Sequence, residues 1–437
     1  MTRLKNREFD INPYVKSKTM EETAMLDLSV HFAGVKFKNP IVMASMVFGW
    51  SGEALKRAGL GGAAGVVCKS IGSPVETFDH PKCGRMVLYR HNGVPIGMQN
   101  NEIFSTTNVE EWIDRELKIA AEGGARMVVS IVANPKASDT ANLARKVAKT
   151  GLVDIFELNV SCPMPAAGVG MNIGKSPELS AEQVRAVKDA CPDIPLMPKM
   201  TPNVSDIAAV AKACEEAGAD AIAATNSVQA LVGIDVETGI PLLPAFGGYS
   251  GPVVHPIMLR CVAQIAQAVR IPISGIGGVS TWKQAVEMMM VGATTVQVGT
   301  AIIWHGYPIV NEIVRGIESF MERKGYRSPH EFIGLSLKHL TTTEEMAKRP
   351  PKVSEVNLES CVACGVCAKV CGYDAIEIQE DNKPKFLMDR CDGCGLCAQF
   401  CPTSMIRLVD KAEAQARMVK PTHFKANRRR MDRRGTV

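Results

Sequence analysis

A chain of 437 residues, 46% of them hydrophobic and with a formal net charge of +5, is too long for one small domain and too apolar for wholesale disorder. No stretch of about 20 residues is apolar enough to span a bilayer, and the opening "MTRLKNREFDINPY" is too polar for a signal peptide, so a cytoplasmic protein without a membrane anchor is expected. The charge is uneven: residues 402–437 hold ten Lys or Arg against three Asp or Glu, +7, which leaves about −2 for the rest. The run "NRRRMDRR" in that tail suggests nucleic acid, but with one aromatic (Phe424) and no recognition module it reads as a solvated tail or partner-docking arm.

After a polar lead (residues 1–24), "LDLSVHFAGVKFKNP" alternates apolar and polar positions on either side of Gly34 and predicts a β-hairpin. Eight short apolar runs follow: "PIVMAS" (40–45), "AGVVCKSI" (64–71), "RMVVSIVA" (126–133), "DIFELNVSC" (154–162), "PLMPKMT" (195–201), "AIAATNS" (221–227), "IPISGIGGV" (271–279) and "TTVQVGTAI" (294–302). Segments with helical spacing lie between them, such as "SDIAAVAKACEEAGAD", which ends at Gly218. Eight strands buried on both faces, each followed by a helix, predict an α/β fold, a (β/α)8 TIM barrel over residues 25–344. A doubly wound open sheet is the alternative. Two connections, 72–105 after strand 2 and 228–251 after strand 6, are long, and loops after the strands carry the active site of a barrel. At "AKRPPKVSEV" the helical signal stops, so residues 345–355 read as a linker to a small α+β domain (356–408), followed by a basic tail (409–437).

The chain has 14 cysteines, and in a reducing compartment these point to metal or catalysis. Cys68, Cys83, Cys162, Cys191, Cys214 and Cys261 are scattered. The other eight form two C-x2-C-x2-C-x3-C runs, 361–371 and 391–401, the second followed by Pro402. Zinc would accept four thiolates, but zinc ribbons space two Cys pairs far apart, whereas three cysteines three residues apart suit the corner of an iron-sulfur cube. The pattern resembles the two-cluster bacterial-type ferredoxins, in which the fourth Cys of each run ligates the other cluster. The resemblance implies one [4Fe-4S] on Cys361, Cys364, Cys367 and Cys401 and another on Cys391, Cys394, Cys397 and Cys371. Gly372 stands where the first run would have its proline. Such a pair is a one-electron relay and needs a donor and an acceptor.

Phosphate-cradling turns belong after strands 7 and 8 of a barrel, where the sequence offers "GIGG" (275–278, with Gly277 and Gly278) and "VGTA" (298–301, with Gly299 and Thr300). Glycines let backbone N–H groups approach a phosphate. The combination fits FMN, which exchanges single electrons and hydride. A nicotinamide site in this chain is poorly supported: "GLGGAAG" (59–65) precedes strand 2, and "GVGMNIG" (168–174) lacks the fingerprint spacing. Electrons must then come from another protein.

The strings "ELNVSCP" (157–163), "KMTPNVSDI" (199–207), "ATNSV" (224–228), "GYSGPVVHPIMLR" (248–260) and "ISGIGGV" (273–279) resemble the dihydroorotate dehydrogenase superfamily. With a two-cluster ferredoxin appended, the chain is similar in particular to the catalytic subunits of bacterial NAD-dependent dihydropyrimidine dehydrogenases, over about residues 30–405. The resemblance implies FMN in the barrel, with Lys69, Lys199, Ala44, Ser45, Gly277, Gly278, Gly299 and Thr300 around it, and Asn100, Glu102, Asn159, Asn226 and Ser227 holding a pyrimidine. It also implies Cys162 as general acid, and a separate subunit with FAD and NAD(P)H sites as electron donor in a homo-oligomer or heterotetramer.

Physical chemistry is consistent with these roles. A lysine at the flavin N1/O2 edge would stabilise charge on the reduced ring, and asparagines offer the donor and acceptor that a uracil edge needs. A thiol of ordinary pKa near 8.5 is mostly protonated at neutral pH, as an acid must be. A Glu102 carboxylate would accept a ring N–H but repel the carboxylate of orotate, which favours uracil or thymine. The structural alternatives are that Lys69 pairs with a helix, Asn226 caps a turn, Glu102 lies on the surface, and Cys68, Cys214 and Cys261 act as small apolar core residues. Met164 stands where relatives carry Asn or His, which removes a polar hand from the pocket and admits a different conjugated C=C as substrate. A non-catalytic electron-transfer scaffold is the remaining alternative, and the retention of Lys69, Lys199 and Cys162 argues against it.

Overall fold

The computed structural model describes residues 26–72, 83–161 and 171–418. The chain divides into two units, residues 1–339 and 340–437.

In the first unit eight parallel strands close into a barrel in sequence order. They are barrel strands 1 (Ile41–Met43), 2 (Gly65–Val67), 3 (Arg126–Val132), 4 (Ile155–Asn159), 5 (Leu196–Lys199), 6 (Ile222–Ala224), 7 (Ile273–Ile276) and 8 (Ala293–Val298). Strand 8 pairs with strand 1 through Val296 opposite Ile41, and strand 5 with strand 6 through Lys199 opposite Ala223.

Because successive side chains in a strand point to opposite faces, strand 4 serves two layers. Phe156 and Leu158 join the large apolar cluster shared with the helices, which includes Leu143, Val184 and Val187. Ile155 joins the smaller cluster of Val42, Val128, Met197 and Ala223 inside the barrel. The same alternation puts Glu157 and Asn159 in line with Ile155, running up the interior toward the C-terminal end of the strands.

The helices start where the sequence supplies caps. Ser176 accepts from the Leu179 amide ahead of Pro177–Ala190, and Asp206 accepts from the Ala209 amide ahead of Ile207–Glu216. The second of these buries Ile207, Val210, Ala211 and Cys214 as one stripe. The expected hairpin is present as Val30–Phe32 and Val35–Phe37. Its Val30, Phe32 and Phe37 pack with Ala64, Ile155 and Ala221 at the entries of strands 2, 4 and 6, so it closes the N-terminal end of the barrel.

The two long connections differ from the sequence expectation of plain loops. They contribute Met86–His91, Val94–Asn100, Val228–Ala230 and Gly247–Ser250 to one antiparallel four-stranded sheet, in which Val94–Asn100 and Gly247–Ser250 are the central pair. Asn92 and Gly93, both with positive φ (49° and 82°), make the tight turn between the first two strands.

In the second unit Lys352–Val356 pairs antiparallel with Ile406–Asp410, and Ile376–Ile378 with Pro384–Phe386. Two short helices, Val366–Lys369 and Leu396–Phe400, each carry a cysteine from one run. The stretch 345–355 expected as a linker includes the end of the helix Thr343–Ala347 and most of the strand Lys352–Val356, with Val353 and Ser354 buried. The strand Ile406–Asp410 and the helix Lys411–Met418 likewise carry ordered structure past residue 408, where the tail was expected to begin. The lead 1–24 and the arginine-rich run lie outside the described residues. No helix among the described residues is long and apolar enough to cross a membrane.

Phe156 is fully buried between sheet and helices. Phe156→Ala is expected to destabilise the barrel by roughly 3–5 kcal/mol, read as a lower urea midpoint with an unchanged slope.

Candidate active site

A cavity opens at the C-terminal end of the barrel strands. All thirteen described barrel residues singled out from the sequence line it: Ala44, Ser45, Lys69, Asn100, Glu102, Asn159, Lys199, Asn226, Ser227, Gly277, Gly278, Gly299 and Thr300. Cys162 and Met164 lie outside the described residues. Ser161 is the last residue described before them, and its hydroxyl accepts from Asn226 Nδ2 at 3.0 Å.

The asparagines are held before any ligand arrives. Asn159 donates to Ser70 Oγ at 2.9 Å and accepts from the Ser161 amide at 3.1 Å. Asn226 accepts from the Ser227 amide at 2.8 Å, and its own amide donates to Met200 O. Asn100 donates to Gly248 O at 3.2 Å across the antiparallel sheet.

Charge at the cavity floor is paired. Lys199 Nζ lies 3.2 Å from Glu157 Oε1, and both side chains are almost wholly buried. The other carboxylate oxygen of Glu157 accepts from Gln297 Nε2 at 3.2 Å, and this nitrogen also donates to Ser274 Oγ at 3.3 Å. Gln297 Oε1 is buried with no hydrogen-bond partner among the described residues, and Gln297 lines the cavity.

Higher up, Lys69 Nζ sits 3.9 Å from Glu102 Oε2 and 5.7 Å from the Trp50 ring centroid. Glu102 Oε1 accepts from Arg85 Nε. Glu102 is therefore a buried, paired carboxylate and not a surface residue. Two cations, Lys69 and Arg85, already face it and offset the repulsion expected between Glu102 and a carboxylate-bearing substrate.

Sequence reasoning missed Glu157, Gln297 and Arg85. The signal for Glu157 was available: an ionisable residue inside the apolar run "DIFELNV" must find a partner if that run is a buried strand. Of the scattered cysteines, Cys68, Cys191, Cys214 and Cys261 are buried in the core and Cys83 is exposed. Burial pushes the Cys68 and Cys214 thiols up to about 12, and Cys68 also contacts Ser130 O.

The eight C-terminal cysteines frame two hollows. One is lined by Cys371, Cys391, Cys394 and Cys397, the other by Cys361, Cys364, Cys367 and Cys401. In each, the fourth cysteine of one run stands with the first three of the other. Among the described residues no three metal-binding side chains converge as a single ion would need, whereas a cube of iron and sulfur fills the space between four separated thiolates.

Residues 27–321 match the dihydroorotate dehydrogenase family and residues 354–408 a 4Fe-4S dicluster domain. The catalytic subunit of dihydroorotate dehydrogenase B (NAD(+)) from Pyrococcus abyssi is 41% identical over 313 residues, 71% of this chain and 99% of the relative. The NAD-dependent dihydropyrimidine dehydrogenase subunit PreA of Escherichia coli K12 is 34% identical over 369 residues, 82% of this chain and 89% of the relative. The second alignment spans more of this chain than the barrel unit holds. The chain belongs to the dihydroorotate dehydrogenase family. It is an oxidoreductase whose cofactors are FMN and two [4Fe-4S] clusters.

The residues present fit these groups. Gly277 and Gly278 have φ of +117° and +74°, and a Cβ on either would meet Met258 at 2.5 Å or the His255 backbone at 2.7 Å, so the turn beside the cavity admits only glycine. The unpartnered Gln297 oxygen suits a ring with N–H groups along its edge. Eight thiols in two sets of four are the donor set of two cubes.

Lys199→Met would leave Glu157 charged and uncompensated, at a cost of roughly 3–5 kcal/mol. The double variant Lys199→Met/Glu157→Gln is expected to recover most of that loss, and a double-mutant cycle by urea denaturation checks it.

Proposed function

We propose that the chain is the catalytic subunit of a pyrimidine reductase. It reduces the C5=C6 bond of uracil or thymine, or runs the reverse, with Cys162 exchanging a proton at C5. Electrons enter from a partner subunit that carries FAD and NAD(P)H. The observation that carries this reading is the union, in one chain, of a barrel cavity ringed by asparagine amides and an eight-cysteine unit, and the PreA alignment is longer than the barrel unit alone.

FMN bound in the barrel would supply hydride transfer at N5 and exchange of single electrons. Lys199 would hold the N1/O2 edge of the ring, and the Gly277–Gly278 and Gly299–Thr300 turns its phosphate. Asn100, Asn159, Asn226 and Ser227 would orient the pyrimidine by alternating donors and acceptors, and Lys69 would bridge ring and substrate with its charge tempered by Glu102. Cys361, Cys364, Cys367 and Cys401 would ligate one cluster, and Cys371, Cys391, Cys394 and Cys397 the other.

A second reading is supported by the pairing of Glu102 with Arg85 and Lys69. With its charge compensated, the cavity does not repel an anionic ring, and orotate becomes admissible.

Reduced enzyme mixed anaerobically with uracil, thymine or orotate distinguishes these readings through the rate of flavin reoxidation. Uracil or thymine is expected to reoxidise it. Reoxidation by orotate alone selects the second reading, and a response to none of the three rejects both. Cys162→Ala is expected to retain FMN and lose roughly 10² to 10⁴ in turnover; full turnover would remove Cys162 from the mechanism.

A further inference from the structure

The two cysteine hollows are related by an internal repeat of 30 residues, the step from Cys361 to Cys391. At that offset Val356 and Phe386, Thr403 and Tyr373, and Met405 and Ala375 line corresponding places in the two hollows. The repeat also pairs Ser354 with Pro384, each seven residues before the first cysteine of its run, and each lining one hollow. Here the chemistry of the two halves separates.

Ser354 is buried in the strand Lys352–Val356, where pairing with Leu408 fixes its position. Its amide donates to Cys391 Sγ at 3.4 Å, and its hydroxyl lies 3.1 Å from Cys397 Sγ. A sulfur bound to iron has no proton, so in the loaded protein the hydroxyl is the donor. Pro384 has neither an N–H nor a hydroxyl to offer.

The other hollow takes its donors from elsewhere. The Ala363 amide reaches Cys361 Sγ at 3.4 Å, the Met405 amide reaches Cys401 Sγ at 3.3 Å, and the Thr403 hydroxyl lies 3.6 Å from Cys401 Sγ. Thr403's counterpart, Tyr373, has its hydroxyl turned to Asp392. Each hollow thus receives one side-chain hydroxyl, from positions that the repeat does not equate.

Hydrogen bonds to the sulfurs favour the more negative, reduced state of an iron-sulfur cluster and raise its potential. We infer that Ser354 is a potential-setting residue for the cluster held by Cys371, Cys391, Cys394 and Cys397, and for that cluster alone. The inference rests on the cluster ligands proposed above. Its consequence is a relay whose two stations are tuned by separate residues, so that the preferred resting place of an electron can be changed at one station without disturbing the other.

Anaerobic redox titration of the holoprotein, followed by electron paramagnetic resonance, tests this. Ser354→Ala is expected to lower the midpoint of one cluster signal and leave the other in place. Thr403→Val is expected to lower the other signal, and Ser354→Thr to retain the wild-type midpoints because the hydroxyl is kept. No shift in Ser354→Ala, equal shifts of both signals, or a Ser354→Thr protein that behaves like Ser354→Ala would overturn the inference. Iron and labile-sulfide content is read on the same samples. Wild type short of two clusters overturns the ligand assignment and this inference with it, whereas full loading without a selective shift overturns the role of Ser354 alone.

Discussion

Closing eight parallel strands into a barrel sends every second residue of each strand into an interior with little room for water. Most of those positions here are small and apolar, such as Val42, Val128, Ile155 and Ala223. Glu157, Lys199 and Gln297 are exceptions. A lone buried charge would cost several kcal/mol, so Glu157 on strand 4 and Lys199 on strand 5 are tenable only because strand pairing sets Asn159 beside Lys199 and brings the two ionic groups to 3.2 Å. Barrel closure then adds Gln297 from strand 8 to the same carboxylate. The floor of the cavity is therefore a product of register: slipping one strand by a residue would turn Glu157 or Lys199 into the apolar layer under the helices.

The upper wall depends on a different device. The antiparallel sheet joins two connections far apart in sequence, and Asn100, Glu102, Ser227 and Tyr249 reach the cavity from it or from its ends. Close packing helps to fix its position: a Cβ on Gly97 would collide with the end of the Tyr249 side chain, so the Tyr249 ring can lie over that strand because residue 97 is glycine. Polar groups carried by paired strands are better fixed than groups on free loops, which matters for a site whose recognition rests on hydrogen-bond direction.

The eight barrel strands were legible because strands buried on both faces leave continuous apolar runs, and the cysteine framework because its spacing admits few structures. The antiparallel sheet was harder to read. Met86–His91 is largely exposed and its apolar run, "MVLY", is short, although Asn92-Gly93 between two strands is a strong hairpin signal. The pairing of Glu102 with Arg85 could not be seen, since it requires the hairpin register that sets Met86 opposite Asn100. Ser354 was hidden by its neighbours: "RPPKVSEV" looks like a linker, and only pairing with Ile406–Asp410 makes it a wall of a cysteine hollow. Cys162, the residue to which the sequence assigns the proton, lies outside the described residues, so that part of the site rests on motif resemblance and chemistry.

The paired charges bear on substrate choice in two opposing ways. Each lysine of the cavity has a carboxylate within 4 Å, so neither presents a bare positive charge to a ligand. That compensation removes the repulsion that Glu102 would otherwise exert on an anionic ring, yet it offers no attraction in exchange. To recruit Arg85, an anionic substrate would have to draw it from Glu102 and leave a buried carboxylate to Lys69 alone. Breaking a fully buried pair costs roughly 3–5 kcal/mol; Arg85 is partly exposed, so the cost here is smaller, but it is of the same sign. A neutral ring needs no such rearrangement. Fixed asparagine amides whose partners are already in place would read such a ring, and the proposed preference for uracil or thymine over orotate therefore does not depend on repulsion by Glu102.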